Sequence, residues 1–168
     1  VYAGALGAKQ NPEGLIRFFA NLVEIRDDVV CHVFSGGLIF EVLKRDWCGV
    51  NDRLKFHNLI RDKDLPELYR RSDIQVIPER IGFSQGAMPS KLPNILICGV
   101  PVLYIGQKDS DVWQVIQGTG AGLCTDTWQT DELTKLIDQL LLLERPPVLG
   151  DKLMSLFNSD ALIEEILS

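Results

Sequence analysis

The chain has 168 residues, of which 46% are hydrophobic and 24% charged, with a formal net charge of −6. Those values fit one globular domain with a sizeable core, and acidity without a long Lys/Arg block argues against a nucleic-acid partner. The apolar run Leu140–Leu143, which no other exceeds in length, is far too short to span a bilayer, so membrane association would have to come through segments outside these residues.

Val1–Ala3 reads as a strand, followed by the turn GALGAKQ. Asn11-Pro12 starts a helix, because Asn suits the N-cap and Pro the first helical position. Leu15, Phe18, Phe19, Leu22 and Ile25 give that helix an apolar stripe. Val29–Phe34 is a second strand closed by Ser35-Gly36-Gly37, and a short helix over Leu38–Asp46 and a strand near Leu54–Phe56 follow. Asp64-Leu-Pro-Glu67 has the cap, proline and glutamate of a helix start and predicts a helix to about Arg71. Asp73–Ile77 is a strand, Pro78–Met88 a loop, and Ser90 caps a helix to Cys98. Val102–Ile105 is a buried strand, Asp109 opens a helix through Ile116, Gly122–Cys124 is a strand and Thr130–Leu143 an amphipathic helix. Asp151–Leu156 and Asp160–Leu167 read as closing helices.

Alternating strands and helices with short links predict an α/β fold: a Rossmann-like doubly wound parallel sheet with helices on both faces. Residues 1–168 are taken as one such domain, expected to be a piece of a longer protein because Val1 opens inside a strand. Four well-separated cysteines without metal spacing fit reduced thiols and a cytoplasmic location.

Ligands of such folds sit outside the carboxyl ends of the strands. Three junctions there carry candidate chemistry. In Gly4-Ala-Leu-Gly7-Ala-Lys9, two glycines permit close backbone approach and Lys9 adds a cation. In Pro89-Ser90-Lys91-Leu92-Pro93-Asn94, the first amides of a helix, a hydroxyl and a lysine together suit a diphosphate. In Asn58-Leu59-Ile60-Arg-Asp62-Lys-Asp64-Leu65, an extended segment can offer backbone groups to a base edge while Ile60 and Leu65 cover its ring. Asp62-Lys-Asp64 and Asp109-Ser-Asp111 spell Asp-x-Asp, but both sit at helix starts, where Asp serves as a cap, so no metal is expected. His32 lies inside an apolar strand and His57 just after one, which leaves no zinc-type cluster.

The ordered set of features resembles a known family. DIQVIPE (73–79) followed by PSKLPNILICGVPVL (89–103) resembles the donor half of retaining GT-B glycosyltransferases of family 4. VYAGALG, FSGG (34–37), LYRRSDI (68–74) and TGAGLC (119–124) match its other segments in the right order, over roughly residues 1 to 144. The resemblance implies glycosyl transfer from a nucleoside diphosphate sugar, with UDP-glucose as the type of donor, in polysaccharide or glycoconjugate synthesis. It implies no cofactor, no metal, and an acceptor-binding N-terminal domain lying outside this chain, without which little transfer is expected. Gly7, Lys9, Ser90 and Lys91 would hold the diphosphate. Asn58, Leu59, Ile60, Leu65 and Asn94 would meet base and ribose, and Gly86, Ala87, Met88 and Pro89 the sugar. No catalytic residue is assigned.

This chain departs from the family's E-x7-E motif, whose two glutamates fall at Gly86 and Asn94. Glu79 is a candidate replacement, expected on a flexible loop. Two other readings stay open: a UDP-sugar 2-epimerase-like enzyme, and a non-enzymatic nucleotide-binding or interaction module.

Overall fold

The computed structural model describes residues 1–82, 88–143 and 145–146. The helices expected after Arg145 lie outside the described residues. Among the described residues, six strands alternate with six α-helices: β1 (Tyr2–Ala3), α1 (Pro12–Ile25), β2 (Cys31–Ser35), α2 (Leu38–Trp47), β3 (Leu54–Asn58), α3 (Leu65–Arg71), β4 (Gln75–Pro78), α4 (Leu92–Ile97), β5 (Val102–Ile105), α5 (Asp111–Thr119), β6 (Gly122–Thr125) and α6 (Thr130–Leu142).

All pairings are parallel, in two three-stranded sheets ordered β1-β2-β3 and β4-β5-β6. The sheets abut through β1 and β4: the Val76 amide donates to the Val1 carbonyl (2.9 Å) and the Val1 amine to the Ile74 carbonyl (2.8 Å). Read across, the order is 3-2-1-4-5-6, so the chain reverses its winding between β1 and β4. A crevice opens at such a reversal because the connections on either side leave toward opposite faces.

Strand periodicity divides the core in two. Val33, Val76, Leu103 and Ile105 face Leu15, Phe19 and Val23 of α1, Phe40 of α2, and Leu133 and Ile137 of α6. Ile77, Val102 and Tyr104 face Tyr69 of α3, Leu92, Ile95 and Leu96 of α4, and Val112 and Ile116 of α5. This is the expected doubly wound α/β architecture. The predicted stripe of α1 is buried except Ile25, which ends the helix 59% exposed.

Caps differ more than strands. Asn11 and Asp64 occupy their N-cap positions but make no side-chain cap bond, and Asp64 instead accepts from Arg61 Nε (2.7 Å). Helix α5 begins at Asp111 with Ser110 accepting from the Trp113 amide (3.3 Å), whereas Asp109 sits just outside in the left-handed region, φ 61°. Helix α4 is shorter than predicted: its N-cap is Lys91, not Ser90, and no side chain caps it.

Candidate functional site

The crevice at the β1/β4 junction is floored by a lysine. The Lys91 ammonium donates to the Ala3 carbonyl at the end of β1 (3.1 Å) and stands 4.2 Å from the centroid of the Tyr2 ring. A carbonyl and the face of an aromatic ring both favour a cation, yet neither carries a full negative charge. Burial pulls the ammonium down to about 7, and the field of Glu79 opposes that fall. Tyr2 also donates its hydroxyl to the Ala5 carbonyl (2.5 Å), pinning the glycine loop above the lysine. Gly4 starts that loop at φ 146°, in the region that favours glycine, and a methyl group there would stand 3.4 Å from Lys91 Nζ.

A cleft of about 330 Å³ opens above this floor. Gly4, Ala5 and Gln10 form one wall, Pro89, Ser90 and Lys91 a second, and Leu59, Ile60, Asp62 and Leu65 a third. Leu59 is 57% exposed and leans on Gly36, where a Cβ would sit 3.1 Å from its Cδ1. Phe34 also lines the cleft and is stacked 4.3 Å from the His57 ring. His57 lies within β3, and its Nε2 is 2.9 Å from His32 Nδ1.

The predicted site residues fare differently. Leu59, Ile60, Leu65, Pro89, Ser90 and Lys91 all come together as cleft walls. Asn58 ends β3 beside that wall, exposed. Asn94 is exposed on α4, outside the residues that wall the cleft. The Gly7 amide is already engaged by the Gln10 side chain (2.9 Å), so a phosphate would have to displace Gln10 to use it. Of the three amides expected free after Pro89, that of Leu92 donates back to the Pro89 carbonyl (2.9 Å). Those of Ser90 and Lys91 donate to no acceptor among the described residues. Gly86 and Ala87 lie outside the described residues.

Lys9 and Met88 line an adjoining polar recess of about 260 Å³, together with Glu79, Gln107, Ser110 and Asp111. Glu79 is the residue that sequence reasoning misplaced. It is 6% exposed at the end of β4, where its amide donates to the Ile105 carbonyl (2.6 Å). Its Oε1 pairs with Lys9 Nζ (3.2 Å), and its Oε2 accepts from the Tyr104 hydroxyl (2.9 Å). The signal was present in QVIPE: a carboxylate directly after an apolar strand, at the strand's ligand-facing end. Asp62 lay within a candidate junction but was read as a helix cap and given no ligand role, whereas it lines the cleft. Among the described residues, no three His, Cys, Asp or Glu side chains gather as a metal site, and no helix is long and apolar enough to cross a membrane.

A family model described as glycosyl transferases group 1 matches residues 1–152. No curated protein matches the chain. Among solved structures, WaaG, a glycosyltransferase involved in lipopolysaccharide biosynthesis, is similar with a TM-score of 0.65 at 18% identity, over 98% of this chain and 44% of its own. The Candida albicans trehalose-6-phosphate phosphatase N-terminal domain is similar with a TM-score of 0.59 at 15% identity, over 99% of this chain and 37% of its own. The chain thus spans less than half the length of either structure, and at these identities the likeness concerns the fold: a Rossmann-like half of the GT-B type.

Proposed function

The chain belongs to the group 1 glycosyl transferases, and from that membership we propose that it binds the nucleoside diphosphate sugar donor, a UDP-sugar such as UDP-glucose, for transfer of its glycosyl group. The observation that carries the reading is the lysine-floored cleft at the β1/β4 reversal, with an apolar wall on one side and free amides on the other. A base stacks against Leu59, Ile60 and Leu65, with the backbone near Asn58 at its edge. Asp62, a cleft-wall carboxylate, is better placed than Asn94 to accept ribose hydroxyls. The diphosphate lies over Lys91 and the amides of Ser90 and Lys91, with Lys9 and the Gly7 loop opposite.

The chemistry follows from that placement. As the bond between the anomeric carbon and the diphosphate oxygen breaks, its electron pair moves onto the diphosphate. Positive groups fixed around that oxygen favour the charge as it develops, without reorganising at the moment of reaction. An acceptor hydroxyl forms the new bond and gives up its proton. The acceptor, and the groups that hold it, belong to an N-terminal domain outside this chain, so the chain alone binds donor and transfers little. Residues 1–168 act as the donor-binding unit. Lysines and amides supply the positive charge, so transfer proceeds without a metal; the setting is polysaccharide or glycoconjugate synthesis in the cytoplasm.

Calorimetric titration of UDP and UDP-glucose into the chain tests this. Saturable binding is expected, weakened on the order of 10- to 100-fold in Lys91→Met, the range for losing a charged hydrogen-bond partner, while Asn94→Ala leaves it nearly unchanged. No saturable binding of either ligand to the wild type would remove the proposal.

A further inference from the structure

Beside the lysine-floored cleft lies the polar recess, and the two are neighbours through consecutive residues. Gln10 lines the cleft and Lys9 the recess; Pro89 lines the cleft and Met88 the recess. A ligand held by its diphosphate over Lys91 therefore extends naturally past Lys9 into a space whose inner wall is Glu79.

The carboxylate is fixed in place with acceptor capacity to spare. Trp113 N–H donates to Ser110 Oγ (3.3 Å), Ser110 Oγ lies 3.1 Å from the Tyr104 hydroxyl, and that hydroxyl donates to Glu79 Oε2 (2.9 Å). The chain of donors has one consistent direction, Ser110 to Tyr104 to Glu79. A carboxylate offers about four lone-pair positions, and the described residues use two of them, one on each oxygen. Gly106 is required by this arrangement, since any Cβ there would collide with the Tyr104 hydroxyl. Among the described residues, the charged side chains lining the recess are Lys9, Glu79, Lys108, Asp109 and Asp111, one more acid than base.

We propose that this recess receives the glycosyl group of the donor, that Glu79 accepts its hydroxyls, and that the fixed carboxylate selects neutral sugars over acidic ones. The inference rests on the donor-binding reading above and adds the sugar class to it. A hydroxyl-rich ring presents donors to the free lone pairs of Glu79. A uronate at the same place would bring a second carboxylate against a buried one whose cationic partner, Lys9, is already shared.

The test compares UDP, UDP-glucose and UDP-glucuronate on the wild-type chain, Glu79→Gln and Tyr104→Phe, with unfolding curves to establish that each variant is folded. The wild type is expected to bind UDP-glucose more tightly than UDP-glucuronate. In Glu79→Gln, the affinity of UDP-glucose relative to UDP should fall by roughly tenfold, as for a lost hydrogen bond to a charged group, and the gap between glucose and glucuronate should narrow. Tyr104→Phe, which releases one oxygen of Glu79, should move both ratios in the same direction by less. If the ratios stay at their wild-type values in both variants, Glu79 serves only to hold Lys9 and the inference is overturned while UDP binding stands. A wild-type chain that binds none of the three overturns the inference together with the donor-binding reading beneath it.

Discussion

Lys91 is the residue on which the site turns, because its charge is only marginally held. Its ammonium has a carbonyl and a ring for neighbours, and burial brings it down to about 7 from an ordinary 10.5. Between those two values the unfolded chain keeps a proton that the folded chain has released, so stability should rise with pH across that window. Binding runs the other way. A diphosphate favours the charged lysine, so above about pH 7 the ligand must bring a proton in with it. The affinity for UDP-glucose, whose phosphates stay ionised throughout, is therefore predicted to weaken from about pH 6 to about pH 9, by up to about tenfold per unit. Isothermal titration in buffers of different ionisation enthalpy would register the proton taken up. A wild-type affinity that is level across this range would contradict the role given to Lys91. The sequence marked Lys9 and Lys91 as cations at loop-to-helix junctions, each beside the start of a helix. It did not reveal that Glu79 holds Lys9, because that pair joins two connections brought together only when β1 lies beside β4.

At the scale of elements, strands were the more legible. Val102–Ile105 is found at its predicted bounds, since an uninterrupted apolar run buried on both faces leaves little choice of register. Helix starts were less legible where several capping residues compete. Asp109 and Ser110 are both good caps, and the left-handed backbone at Asp109 decides for Ser110. Pro89 and Pro93 bracket the start of α4: the Leu92 amide turns back to Pro89, Pro93 has no amide to give, and the helix begins after Ser90. The second glycine in TGAGLC has a reason that only the sheet supplies. Gly122 pairs with Val102, and any Cβ at Gly122 would overlap the Val102 carbonyl, a backbone group already committed to the ladder. Gly122→Ala should therefore destabilise the chain by about 1–3 kcal/mol, as overpacking does, read as a lower unfolding midpoint in urea. A midpoint equal to that of the wild type would show that β6 can shift without loss.

The whole molecule was readable as a class from the alternation of strand and helix patterns, and the family model agrees over residues 1–152. What the alternation could not supply is depth: which loop residues face inward, and which of several glycine turns lies at the reversal of winding. Those depend on the order 3-2-1-4-5-6, which places Gly4, Lys91, Lys9 and Glu79 around one crevice while leaving Asn94 outside it. A separate cavity of about 180 Å³ lies at the opposite ends of the strands, among Phe19, Cys31, Ile74 and Ile137, and has no part in donor binding on this account. A crystal structure of the chain with UDP-glucose distinguishes the two places directly. Density for the pyrophosphate over Lys91, with uracil against Leu59 and Ile60 and the hexose toward Glu79, is the predicted result. Nucleotide lodged in the cavity at the other end of the sheet, or a cleft left empty at saturating ligand, would contradict it.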